Sequence, residues 1–161
     1  MEVDALVGDD WWRWRTLRLA ALAQAPEAFG STLAEWTGDG DTEERWRRRL
    51  SEVPHNLVLA VDGLDVGMVS LTAPDGHAPP EVIGMWVAPD ARGTGVGDAA
   101  VEAVLDVAAE AHPGSAVALS VYAGNATARR LYARHGFVDA GPSPDGEGEL
   151  RMVHRPVGSS G

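Results

Sequence analysis

The chain has 161 residues, 45% of them hydrophobic and 23% charged, and carries a formal net charge of −11 with no cysteine. That length suits one domain, expected over residues 1–157, with 158–161 a flexible tail. The missing cysteines exclude disulfides, thiolate metal sites and a cysteine nucleophile, and no apolar run reaches the ~20 residues that a bilayer crossing needs. Every basic residue is arginine. So acidic a chain is a poor partner for nucleic acid or anionic membrane and a good one for a cationic substrate, although Arg45, Arg47, Arg48 and Arg49 cluster in one segment and leave a local anion site open. The acidic start Met1, Glu2, Val3, Asp4 lacks the basic flank of a secretory signal, so a cytoplasmic location is expected, and no metal site is.

Residues 3–7 alternate weakly enough for an edge strand. From Asp9 or Asp10 as N-cap, the spacing of Trp11, Trp14, Leu17 and Leu22 predicts a helix that ends at Ala25, before Pro26. A loop follows, then a helical segment around 33–36 and a break at Gly38, Asp39 and Gly40. Asp41 or Thr42, with Glu43 and Glu44 in the first turn, opens a helix carrying Trp46 and Leu50 on one face. Residues 56–61 and 65–71 are strand-like runs around the turn signal Asp62-Gly63, which predicts a hairpin. A third run at 81–88 is broken by Pro89. Apolar positions from Val96 to Ala111 recur with helical period until His112, Pro113 and Gly114. A strand over 116–121, a helix capped by Asn125 and stopped by Gly136, and strands over 137–140 and 149–155 complete the order. Hairpins in the middle and helical crossovers near the end imply a mixed sheet with helices on its faces.

Arg92, Gly93, Thr94, Gly95, Val96 and Gly97 join a strand directly to a helix start. Glycines there let backbone N–H groups approach a ligand, and the first helical turn adds unpaired donors and partial positive charge, so the loop is an anion cradle. A Walker loop needs lysine, which the chain lacks. A dinucleotide fingerprint needs glycine at a position held by Asp98 or Ala100, so a phosphate or pyrophosphate of another kind is expected.

The pattern Val87-x-Pro89-x-x-Arg92-Gly93-x-Gly95-x-Gly97 resembles the acetyl-CoA motif of the GNAT superfamily of N-acetyltransferases. Asn125-Ala126-x-Ala128-x-x-Leu131-Tyr132-x-x-x-Gly136-Phe137 resembles that family's companion motif. The resemblance implies an α/β (α+β) fold, a mixed and mostly antiparallel sheet of about seven strands with about four helices, splayed between strands four and five. It also implies an acetyl-CoA-dependent transfer to a primary amine within a ternary complex, by a monomer or homodimer. Acetyl-CoA would lie along the backbone of Met85, Trp86 and Val87. Its pyrophosphate would meet the amides of Arg92, Gly93, Thr94, Gly95, Val96 and Gly97 and the Arg92 side chain, with Asn125 as cap or cofactor contact and Arg129 or Arg130 at the adenosine 3′-phosphate.

Acetyl transfer needs a neutral amine, a donor for the oxyanion and a donor for the leaving thiolate. At neutral pH only on the order of one alkylamine in a thousand is unprotonated, so a base or a water chain is expected. By resemblance Tyr132 serves the sulfur and Glu81 the amine. Glu27 and Glu35 are the other carboxylate candidates, with His77 and His135 behind them. Phe29 and Ser31, in the loop after the first helix, together with Glu27, Glu35 and Trp86, would line the acceptor pocket. Two rival readings share the fold: a non-catalytic acyl-CoA sensor, and an assembly module using the tryptophan-rich front.

Overall fold

The structure, a computed structural model, describes residues 1–24 and 32–156. Strands β1 (Glu2–Ala5), β2 (His55–Val61), β3 (Leu64–Leu71) and β4 (Val82–Val87) form an antiparallel sheet in chain order. Strands β5 (Val117–Tyr122), β6 (Phe137–Pro142) and β7 (Glu149–His154) form a second antiparallel sheet in the order β5-β7-β6. The helices are α1 (Trp11–Gln24), α2 (Glu43–Glu52), α3 (Val96–Ala111) and α4 (Ala126–Arg134). No helix among the described residues is long and apolar enough to cross a membrane.

Local chemistry explains most boundaries. Thr42 caps α2, its hydroxyl accepting from the Arg45 amide at 3.2 Å, and Asn125 caps α4 through the Ala128 amide at 3.2 Å. The β2–β3 turn places Asp62 at φ 52° and Gly63 at φ 80°, the double left-handed turn whose twist suits a tight hairpin. Two expectations shift. Asp9 and Asp10 lie within a single 3-10 turn, Gly8–Asp10, that leads into α1, and the Asp10 carboxylate accepts from the Val7 amide at 2.9 Å. The segment at Leu33–Trp36 is likewise one 3-10 turn, because Thr32 caps its start and a second 3-10 turn at Gly38–Gly40 follows at once.

The two sheets meet at one place. Glu81 and Ala118 form an isolated parallel bridge, and the Ala118 amide donates to the Pro80 carbonyl at 3.0 Å. Beyond it β4 and β5 part. The splay expected between the fourth and fifth strands is therefore a division into two sheets hinged on one bridge. The bend in β4 has a local cause: Met68 pairs with Trp86 and Ser70 with Ile83, so Gly84 and Met85 together oppose Val69 in a β-bulge. Gly84 sits at φ 62°, in the left-handed region.

Each face of the sheets buries its own core. On one side α3 and α4 cover Leu57, Leu59, Val69, Leu71, Val82, Val117, Leu119 and Val121. On the other, α1 and α2 lay Trp14, Leu17, Trp46 and Leu50 against Val58, Met68 and Trp86. The tryptophans are largely consumed here: Trp14 and Trp46 are fully buried, Trp86 is buried, and Trp36 stacks on Trp46 at 4.5 Å, leaving Trp12 as the exposed one.

A Cβ on Gly84 would meet nothing nearer than 3.8 Å, so its substitution is costly for backbone conformation and not for space. Gly84→Ala is expected to lower stability by about 1–2 kcal/mol in urea unfolding, the cost of forcing a side chain into the left-handed region. An unchanged midpoint would show that the bulge does not need glycine.

Candidate active site

The loop before α3 departs from expectation at its first residue: the Arg92 amide donates to the Pro89 carbonyl at 3.3 Å, closing a 3-10 turn, and is not available to a ligand as the sequence suggested. Gly93 and Gly95 adopt φ 76° and 92°, and nothing lies within 4 Å of where their Cβ atoms would be, so their outer side is open. None of the amides of residues 93–98 has an acceptor among the described residues; the first bond of α3 is from the Ala99 amide to the Gly95 carbonyl, at 3.0 Å. Unpaired N–H groups at a helix start are the kind of donor set that suits a pyrophosphate. Gly97 has a different reason to be glycine: its Cβ would lie 3.3 Å from Leu131 Cδ2, so it permits close packing of α3 on α4.

The edge of β4 is the second element. The Ala88 amide donates to the Val66 carbonyl on β3, so the groups of the neighbouring Val87 point away from β3, toward the gap. The Val87 carbonyl accepts from Arg92 Nε at 3.0 Å, and Arg92 Nη2 donates to Gln24 Oε1 at 2.9 Å. Gln24 also accepts from Trp86 Nε1 at 3.0 Å. Arg92 thus turns back onto β4 and the end of α1, and meeting a pyrophosphate requires it to leave those partners. Met85 and Val87 pack toward α3, whereas the Trp86 side chain is buried under α1.

Glu81 and Tyr132 lie on opposite faces of the gap. Along β5, Val117, Leu119 and Val121 face α3 and α4, so Ala118 and Ser120 face the other way, with Arg151 opposite Ser120 on β7. Glu81 joins this second group: Arg151 Nη1 reaches its Oε1 at 3.2 Å and Asp145 at 3.4 Å, while Ser120 donates to Asp145 at 2.7 Å. Burial, and then the neighbouring Asp145, push the Glu81 carboxyl up to about 7 despite Arg151. Beside this cluster a depression of about 530 Å³ is lined by His77, Ala118, Arg151 and Arg155.

Tyr132 belongs to the α3 side. It is 8% exposed, meets Phe137 edge-on at 5.8 Å, and its hydroxyl has no hydrogen-bond partner among the described residues. Burial pushes its pKa up to about 12, so it remains a protonated donor. Asn125 uses its carbonyl oxygen as the α4 cap and stays exposed. Arg129 is engaged by the Ala123 carbonyl at 3.0 Å and Asp139 at 3.3 Å, and with Arg130 lines a shallow pocket on α4. Asp98, an unhelpful charge beside an anion site, is tied to His135 at 2.7 Å and Arg134 at 3.1 Å. His135 is thereby placed at the α3–α4 junction, away from the Glu81 cluster.

On the acceptor side, Glu27, Phe29 and Ser31 lie outside the described residues. Glu35 is exposed and its carboxylate accepts from the Thr32 hydroxyl at 3.2 Å, a capping contact, and none of its hydrogen bonds reaches β4. Sequence reasoning missed Gln24, Ser120, Asp145 and Arg151, because the β5–β7 register and the β6–β7 loop that assemble them leave no local signal. It also missed Asn56 and Ser70, two polar residues buried in otherwise apolar strands; that break in the apolar pattern was the available signal.

Residues 13–137 match the family described as Acetyltransferase (GNAT) family. The chain therefore belongs to the GNAT acetyltransferases. Among solved structures it is similar to a GNAT-family acetyltransferase from Streptococcus pneumoniae, with 18% identity, TM-score 0.74 and coverage of 96% of this chain and 99% of that one. It is also similar to a ribosomal-protein-alanine N-acetyltransferase from Brucella melitensis, with 22% identity, TM-score 0.71 and coverage of 97% and 100%. A third likeness is to yncA, a putative acetyltransferase from Salmonella typhimurium solved with its cofactor acetyl-CoA, with 16% identity, TM-score 0.74 and coverage of 96% and 93%. At these identities the likeness establishes the fold. No curated protein sequence matches the chain.

The raised pKa of Glu81 has a consequence for stability. Folding favours its protonated form, so its contribution is fully present below the ordinary carboxylate range and is lost as pH rises through about 7. Glu81→Gln, which mimics the protonated form, is expected to raise Tm at pH 8 and leave it little changed at pH 4. A lower Tm at pH 8 would mean that the Arg151 ion pair outweighs burial.

Proposed function

We propose that this protein transfers an acetyl group from acetyl-CoA directly to a primary amine in a ternary complex, with Glu81 as the base and Tyr132 as the donor at the sulfur. The observation that carries the reading is the row of amides at residues 93–98, without acceptors among the described residues, beside the open edge of β4. Bound there, acetyl-CoA supplies the activated acetyl group. The amides of residues 93–98 hold its pyrophosphate, and the outward-facing groups of Val87 pair with its arm once Arg92 has moved to the phosphates. The Asn125 side-chain amide and Arg129 complete the cofactor contacts.

Glu81 suits the base because a carboxyl near 7 is half ionised at neutral pH and matches the operating range of proton transfer. It receives the proton that the amine loses as the new C–N bond forms and the thioester C–S bond breaks. Tyr132 has a narrower task. A phenol near 12 is a weaker acid than a thiol near ~8.5, and full transfer of its proton would be uphill by roughly 5 kcal/mol, so it stabilises the departing thiolate by hydrogen bonding. Its hydroxyl has no competing acceptor among the described residues. The backbone N–H of Val87 is the donor proposed for the oxyanion.

Two measurements of CoA release test these roles. In the wild type, kcat/KM should rise with pH through about 7 as Glu81 ionises, and Glu81→Gln should abolish that limb and lower the rate by about 10²–10⁴-fold. A wild-type profile in the variant would remove Glu81 from the mechanism. Tyr132→Phe should lower kcat by about 10–100-fold, the worth of one hydrogen bond to a charged group, with little change in KM for acetyl-CoA. A change confined to KM would make Tyr132 a packing residue.

A further inference from the structure

The arginines of the helical front are mostly matched by carboxylates. Arg13 pairs with Asp4 and Asp65, Arg15 with Asp41, Arg47 with Asp9 and Glu43, and Arg48 with Glu44. Arg45 lies over the Trp36 ring at 3.8 Å. Arg49 differs. Its Nη1 donates to Asn56 Oδ1 at 2.9 Å and its Nη2 to Ser70 Oγ at 3.2 Å, both neutral oxygens, and it has no carboxylate at ion-pair distance among the described residues. The chain has 24 acidic residues against 13 basic ones, so this half-buried cation is not left without a carboxylate for want of acids.

Arg49 is also held in place. Asn56 and Ser70 are 2% and 0% exposed; the Ser70 hydroxyl donates to Asn56 Oδ1 at 2.7 Å, and Asn56 Nδ2 donates to the carbonyls of Leu50 and Val53. This buried network aims the guanidinium at β4. A Cβ on Gly84 would lie 3.8 Å from Arg49 Nη2 and 3.8 Å from Arg18 Nη1, so two guanidinium groups converge on the bulge beside the β4–β5 gap. Burial, and then the charge of Arg18, bring Arg49 down to about 10 against the opposing charge of Glu52. Arg49 keeps part of its surface exposed, whereas Arg18 Nη1 is buried behind it.

We propose that Arg49, with Arg18 beside it, is an anion subsite of the acceptor pocket, and that the acceptor is an amine that also carries a carboxylate. The inference rests on the acetyl-transfer reading above and names its substrate class. Arg49 commits two of its five N–H donors to Asn56 and Ser70, leaving others for a carboxylate. Glu81 stands on the same face, three residues back along β4, roughly 10 Å at strand spacing. The face therefore has a cationic pole at the bulge and a proton-accepting pole at the bridge. An acceptor anchored by its carboxylate at the first presents its amine between them, next to the gap.

The test uses the intact protein and CoA release with paired acceptors: glycine, β-alanine, 4-aminobutyrate and the dipeptide glycylglycine, each beside its carboxamide. For at least one pair the acid should exceed the carboxamide by tenfold or more in kcat/KM. In Arg49→Gln that preference should fall to about one, with partial recovery in Arg49→Lys, while KM for acetyl-CoA stays within twofold. Carboxamides used as well as or better than the acids by the wild type would overturn the subsite and leave acetyl transfer standing; this arm needs no variant. A preference that survives Arg49→Gln, with both members slowed alike, would overturn it in favour of a packing role. Turnover of no member of the set would overturn both readings.

Discussion

The whole arrangement depends on the way β4 and β5 meet once and then part. Parallel neighbours in a mixed sheet ordinarily continue their ladder, and an open strand edge inside a domain leaves backbone donors and acceptors unpaired. Here the ladder stops at Glu81 and Ala118. The bulge at Gly84 and Met85 then bends β4 away, and glycine at that position makes the bend tolerable. The resulting edge opens beside the amides that precede α3. Two sets of unsatisfied backbone groups in one place are costly in isolation and become useful when a ligand completes them.

The same division separates the two halves of the proposed chemistry. Strand alternation sends Val82, Val117, Leu119 and Val121 to the α3 face and leaves Glu81, Ser120 and Arg151 on the α1 and α2 face. Tyr132 approaches from the first side, Glu81 from the second. A proton acceptor and a hydrogen-bond donor in contact with each other would exchange with one another; with a sheet between them, they are coupled only through what fills the gap. Their shifts agree with this. Burial raises both, holding the phenol neutral near 12 and bringing the carboxyl to about 7.

Features written in short-range chemistry were legible in the sequence. The α3 span from Val96 to Ala111, the Asp62-Gly63 turn, and the Thr42 and Asn125 caps each follow from a few adjacent residues. The glycine turn before α3 was legible for the same reason, Gly93 and Gly95 both taking left-handed backbone. Features that depend on register or on distant pairing were not. Gly97 reads as part of the cradle until Leu131 is seen 3.3 Å from its Cβ position. Asp98 reads as a misplaced charge until Arg134 and His135 reach it from α4. Arg151 meets Glu81 across 70 positions of chain, and nothing local to either residue announces the other.

Charge shows most clearly how a global property and a local one diverge. A net charge of −11 argues for cationic partners, and at long range it does favour them, subject to screening beyond about 10 Å. The proposed recognition acts within a few ångströms, where the network of Asn56 and Ser70 fixes Arg49. An acidic exterior and a cationic pocket floor are compatible when the acceptor carries both signs. For the proposed acceptor, the exterior would attract the ammonium group and the floor would select the carboxylate, a contact that desolvation strengthens. The arginine run in α2 contains both behaviours: Arg47 and Arg48 pair along the helix surface, while Arg49 turns inward to the sheet.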